Sequence, residues 1–234
     1  MLAGTIDGVW TVVVRWSPGT PTRILALRDE LTSREFDDPG RWWPAHPDVV
    51  AGRDRVAAGT WCATRVDTGG TALVLNRPQK PIADPGAPSR GTLPLLGADR
   101  GAQWPTEVHL DGMASFLLVL AAPDRLTTWD FDGAELVRTE HAVGTWMFTS
   151  GGPEDRKADR FLPLFAEADH PDGWRRLVQG RPQRDPGALV VRHQQDGLVF
   201  ATVFGQLIDA RPNRLRLEYS RRPWLDPWQP LAVG

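Results

Sequence analysis

The stretch that most restricts the fold is residues 24–30. There Ile24, Leu25, Ala26 and Leu27 lead straight into Arg28, Asp29 and Glu30 with no turn residue between them. The apolar half predicts a buried strand. The charged half must then emerge at a sheet end or in a cleft, because ionised groups beside a dry core cost several kcal/mol unless paired. The run before it, residues 9–16, is β-branched and almost continuously apolar, which predicts a strand covered on both faces. Ser17, Pro18, Gly19, Thr20 and Pro21 supply the turn between the two, so the chain opens with a hairpin.

Residues 60–66 and 71–76 predict a second hairpin around Asp67-Thr68-Gly69-Gly70. Residues 116–121, 126–131 and 135–140 predict a meander, with turns at Pro123-Asp124 and Asp132-Gly133. Further strands are expected over 144–149, 188–192, 198–207 and 215–219. Residues 31–58 and 77–89 read as loops, and the tail from Pro223 as irregular chain. Helices are expected just after Gly91 through Leu96, over 154–168 with Phe161, Leu164 and Phe165 on one stripe, and over 173–178. Sequential hairpins with helices between them predict antiparallel sheets with helices packed outside, an α+β layered domain.

The bulk numbers narrow the function. At 234 residues the chain suits a single domain over 1–234. A net charge of −2 creates no global field for nucleic acid or an anionic membrane. The longest apolar run, residues 116–122, falls far short of the roughly 20 residues a spanning helix needs. No basic residue precedes an apolar stretch at the N-terminus, which predicts no signal peptide and a cytoplasmic protein. The one cysteine, Cys62, excludes an intrachain disulfide and a Cys-rich metal centre. The five histidines lack metal-ligand spacing, so no metal site is expected. The 11 tryptophans, spread from Trp10 to Trp228, have the distribution of core-filling side chains rather than a ligand box.

Four short signals fall in order: Arg28-Asp29-Glu30; Gly52-Arg53-Asp54 with Ala58-Gly59-Thr60-Trp61; Leu75-Asn76-Arg77; and Ser89-Arg90-Gly91. In this order the chain resembles the NRDE family, also called the Transport and Golgi organisation protein 2 family. The resemblance is strong over residues 9–91 and continues more loosely through Ser115-Phe116-Leu117-Leu118 and Val190-Val191-Arg192-His193. It implies an Ntn-hydrolase-like (N-terminal-nucleophile) four-layer αββα sandwich, two antiparallel sheets flanked by helices. In such folds a nucleophile begins the first strand and attacks an amide or acyl carbonyl. Carried over, Arg28 and Asp29 would orient that terminus, and Asn76 would donate to the oxyanion. From the residues alone, Arg28 and Asp29 read equally as a salt bridge closing a sheet end, and Asn76 as a turn residue.

The chain departs from the family pattern where the chemistry would start. Trp10 stands at the nucleophile position, and Leu27 replaces the Asn before Arg28. Residues 1–8 read as a non-native extension, with Val9 as the natural start. An indole has no nucleophilic atom, and losing a nucleophile costs on the order of 10⁶ in rate. Thr11 is one residue off, on the opposite strand face. The resemblance therefore implies either a degenerate amide or acyl hydrolase or a non-catalytic binder. The binder's ligand would be haem or another hydrophobic molecule, held by Trp10, Trp61, Arg192 and His193.

Overall fold

The computed structural model describes residues 10–80, 82–152 and 155–232; the predicted extension over 1–8 and the Val9 start lie outside them. In chain order the strands begin with β1 (Trp10–Trp16), β2 (Thr22–Leu31), β3 (Phe36–Gly40), β4 (Val49–Asp54), β5 (Cys62–Arg65) and β6 (Thr71–Asn76). Helix α1 (Leu93–Arg100) is followed by β7 (Phe116–Ala122), β8 (Arg125–Phe131), β9 (Leu136–His141) and β10 (Gly144–Thr149). Helices α2 (Arg156–Glu167) and α3 (Asp172–Val178) precede β11 (Arg192–Gln195), β12 (Leu198–Arg211), β13 (Arg214–Ser220) and β14 (Gln229–Pro230). One sheet has the order β10-β1-β2-β12-β13-β14, with β11 also on β12; the other is the meander β3 to β9. The pairs within both sheets are antiparallel.

Period-two alternation assigns each side chain a layer. Trp10, Val12, Val14 and Trp16 of β1 meet Leu73, Leu75, Leu117 and Val119 of the other sheet in a core between the two sheets. The other face of the first sheet, with Val13, Leu25 and Leu27, packs on Phe165 of α2 and Trp174 of α3. The other face of the second sheet, with Ala72, Leu118 and Leu120, packs on Leu93 and Ala98 of α1 and on Trp104. The order is helix, sheet, sheet, helix: an α+β sandwich of two antiparallel sheets. Double coverage explains why β1 reads as nearly unbroken apolar chain. Among the described residues no helix is long and apolar enough to cross a membrane.

Residues 31–58 are not the loop expected, since they hold β3 and β4. β3 is an edge strand whose register shifts between Asp37 and Gly40, and an edge tolerates Pro39 because no ladder bond is lost there. The strand expected over 188–192 begins only at Arg192, although Ala188 to Val191 are buried.

A cleft at the end of the paired sheets

β1 and β2 pair so that Trp10 lies opposite Arg28. Ile24 and Ala26 face the second sheet, and the alternation carries Arg28 onto that same face. The Arg28 guanidinium lies 4.5 Å from the Trp61 ring centre, 5.3 Å from Phe36 and 5.6 Å from Trp10. Its Nη2 donates to Asp54 Oδ2 at 3.1 Å and to Glu30 Oε2 at 3.3 Å. Arg28 is 2% exposed. Burial lowers its pKa, against the opposing pull of Glu30 and Asp54, but a guanidinium stays charged throughout the working range. Burial pushes the Asp54 carboxyl up. Arg34 Nε at 2.7 Å, the Ala57 amide at 2.9 Å and Arg28 outweigh it, and the group titrates below the usual aspartate range.

Two of the sequence motifs meet through their glycines. Thr60 N donates to Gly91 O at 2.8 Å, and a Cβ on Gly59 would fall 2.6 Å from Gly91 Cα. That back-to-back contact sets Ser89 and Arg90 on the cleft wall, where Arg90 Nη1 donates to Ser115 O at 2.9 Å. Gly52 is equally constrained, since a Cβ there would meet the Trp61 ring at 2.6 Å. Gly59→Ala therefore must push two backbones apart, and about 1–3 kcal/mol of stability should go. Denaturant unfolding measures this; a loss below roughly 0.5 kcal/mol, the scatter of ordinary surface changes, would refute the contact's importance.

Trp10, Arg28, Trp61 and Asn76 line one cleft of about 280 Å³, together with Glu30, Arg34, Asp54 and Arg90. Arg77, next to Asn76, is buried and ties the two sheets together at this end. It donates to Asp130 of β8 and, at 2.8 Å, to Thr149 O of β10. The Trp10 amide donates to Ser150 Oγ at 3.0 Å.

Asp29 is not in the cleft. It faces the helix layer, fully buried, where Thr202 Oγ1 donates to its Oδ1 at 2.5 Å and Lys157 Nζ of α2 lies 3.9 Å from Oδ2. Burial raises its pKa to about 6, against the pull of Lys157 and the Thr202 hydrogen bond. A bulge in β12 makes this split possible: Thr202 pairs with Asp29 and Phe204 with Arg28, so Val203 is the extra residue. Thr202 thus turns to the helix side while Phe204 joins the intersheet core. Thr11 is sealed on the helix side too, its Oγ1 3.3 Å from Lys157 Nζ. Cys62 is buried in the intersheet core, and burial alone drives its pKa far up, which makes it an inert thiol. Arg192 and His193 line a different groove. The carboxylate that partners Arg28 in depth is Asp54, with Arg34 and Arg90 beside it, and none of the three was singled out as a site residue. Asp54 was within reach, since it closes the Gly52-Arg53-Asp54 motif.

Fold and site together define a two-sheet α+β sandwich with a guanidinium, caged by aromatic rings and carboxylates, at one sheet end. Residues 12–121, just under half of the chain, match the family model described as Transport and Golgi organisation 2. All four motif segments fall inside the match from Arg28 onward; Val190 to His193 fall outside it. No curated protein matches the chain.

Proposed function

We propose that this chain is a non-catalytic ligand-binding member of the family on an Ntn-hydrolase-like frame, and that its cleft takes a small molecule bearing a carboxylate or acyl oxygen. The observation that carries this reading is the state of Arg28. Its Nε and Nη1 are buried with no hydrogen-bond partner among the described residues, although Nη2 is doubly engaged. An unmet buried donor costs about 1–3 kcal/mol, which an incoming oxygen recovers. Arg28, Arg34 and Arg90 against Glu30 and Asp54 leave the lining one positive charge in excess, which favours an anion. Trp10 and Trp61, 5.9 Å apart, offer apolar surface to the rest of the ligand.

Hydrolysis fits less well. No cysteine, histidine or lysine is among the described lining residues, and the Thr60 hydroxyl is engaged with the backbone of Cys62. Haem, which the resemblance brings into view, would find no described histidine, cysteine or methionine in this cleft to hold its iron. The volume, near the lower end of the usual 300–1,000 Å³ for ligand pockets, suits a small acid. The single buried thiol accords with a cytoplasmic setting.

Calorimetric titration with hexanoate and with an N-acetyl amino acid tests the reading. Saturable binding that weakens about tenfold in Arg90→Ala is expected, with no turnover of the matching esters or amides. Ester or amide turnover abolished by Asn76→Ala would replace the binder with an enzyme. A Soret shift on adding haem, lost in cleft variants, would replace the acid with haem.

A further inference from the structure

A second groove of about 590 Å³ lies outside the family match, lined by Arg181, Arg184, Arg192, His193 and Gln194. We propose that it is a phosphate-binding site for a small phosphorylated molecule. The proposal does not depend on the cleft around Arg28.

The groove is a built feature of the chain. Segment 181–184 is held against the start of β11 by Gln183 N donating to Val190 O at 3.0 Å and Arg192 N donating to Gln183 O at 2.8 Å. Gln183 and Val191 form a parallel bridge there, which brings Arg181 and Arg184 alongside Arg192. All three arginines are exposed, and none makes an ion pair among the described residues. Most other arginines of the chain do have a carboxylate within salt-bridge distance: Arg53 has Asp37, Arg65 has Asp67 and Asp99, Arg221 has Asp38 and Arg222 has Asp226. Among the described residues no carboxylate lines this groove. Asp185, the nearest in sequence, turns its Oδ1 to the Gly187 amide at 2.9 Å.

Three unneutralised guanidiniums around one hollow repel one another, and a multiply charged anion relieves that repulsion. Guanidinium forks match phosphate oxygens in pairs, which gives such an anion geometry as well as charge. A single carboxylate would neutralise only one of the three. His193 lines the same groove, its ring against Phe200 at 5.1 Å and its Nδ1 buried with no hydrogen-bond partner among the described residues. The groove has room for the organic part of a phosphorylated molecule, being larger than the cleft around Arg28.

Titration of the full chain with inorganic pyrophosphate tests the site. Saturable, salt-sensitive binding is expected, weakened at least about tenfold in Arg184→Glu and in Arg192→Glu. Arg214→Glu, an exposed arginine at the β12–β13 turn, should leave binding unchanged, and melting curves check that each variant folds. ADP binding more tightly than pyrophosphate would identify a phosphate ester as the source, and equal binding the free anion. Binding confined to phosphatidate-containing vesicles would overturn the small-molecule assignment. So would the absence of saturable pyrophosphate binding, or equal loss in Arg214→Glu.

Discussion

Arg28→Met should cost about 3 kcal/mol of unfolding free energy, and Arg28→Lys should recover less than half of it. Removing one partner of a buried ion pair costs roughly 3–5 kcal/mol, because a charge is left without compensation. Here the lower end applies. Asp54 keeps Arg34 at 2.7 Å and the amides of Val56 and Ala57 at 2.9 Å each. Glu30, with a side chain 14% exposed, is partly hydrated and keeps Arg34 at 3.8 Å. What the variant loses outright is the cation between Phe36, Trp10 and Trp61, together with both Nη2 bonds. A lysine ammonium cannot lie flat against Trp61 and still reach both carboxylates, because it lacks the planar fork. Denaturant melts of the three proteins at neutral pH give the comparison. A loss under about 1 kcal/mol for Arg28→Met would mean that Arg34 alone organises the acids and that the caged cation is incidental.

The layered fold was legible because the opening strands are covered on both faces and so advertise themselves as apolar runs. The cleft was legible as a set of motifs, and the structure explains why they travel together. Gly59 and Gly91 touch, Gly52 makes room for Trp61, and Asp54 clasps Arg28. What misled was treating Arg28 and Asp29 as a pair. Neighbouring residues on a strand face opposite ways, so period two alone was enough to exclude both from one cleft. The destination of Asp29 was not legible. It depends on a bulge at Val203 and on Lys157, more than a hundred residues away, neither of which has a local signature. β3 and β4 were hidden for another reason: Pro39 and Gly40 look like loop, yet an edge strand accepts them, while the Trp42-Trp43-Pro44 run lies in the connection between the two strands. The arginine groove rests on a non-local bridge between Gln183 and Val191, which no spacing within the sequence announces.

Lys157→Met should destabilise the protein by about 3–5 kcal/mol at pH 8 and by far less at pH 5. Lys157 is 1% exposed and Asp29 is fully buried, so their charges have little beyond each other, Thr11 and Thr202. Asp29 already titrates near 6 with the lysine present, burial being the main cause. A carboxyl raised from 3.8 to about 6 holds its proton longer in the folded state than in the unfolded chain. Its contribution to stability is therefore full below about pH 4 and fades as pH rises through 6, a loss on the order of 3 kcal/mol. Removing Lys157 takes away the positive charge that lowers the Asp29 pKa and extends that fading to higher pH. At pH 8 the variant must bury a lone carboxylate or pay for its protonation. At pH 5 Asp29 is mostly neutral in both proteins, and methionine replaces an ammonium that has lost its counter-charge, so the difference shrinks or reverses. Stability curves at the two pH values read this directly, and Asp29→Asn with Lys157→Met should recover most of the pH 8 loss. A cost for Lys157→Met that is the same at both pH values would show that packing, not the Asp29 charge, fixes the lysine beneath the first sheet.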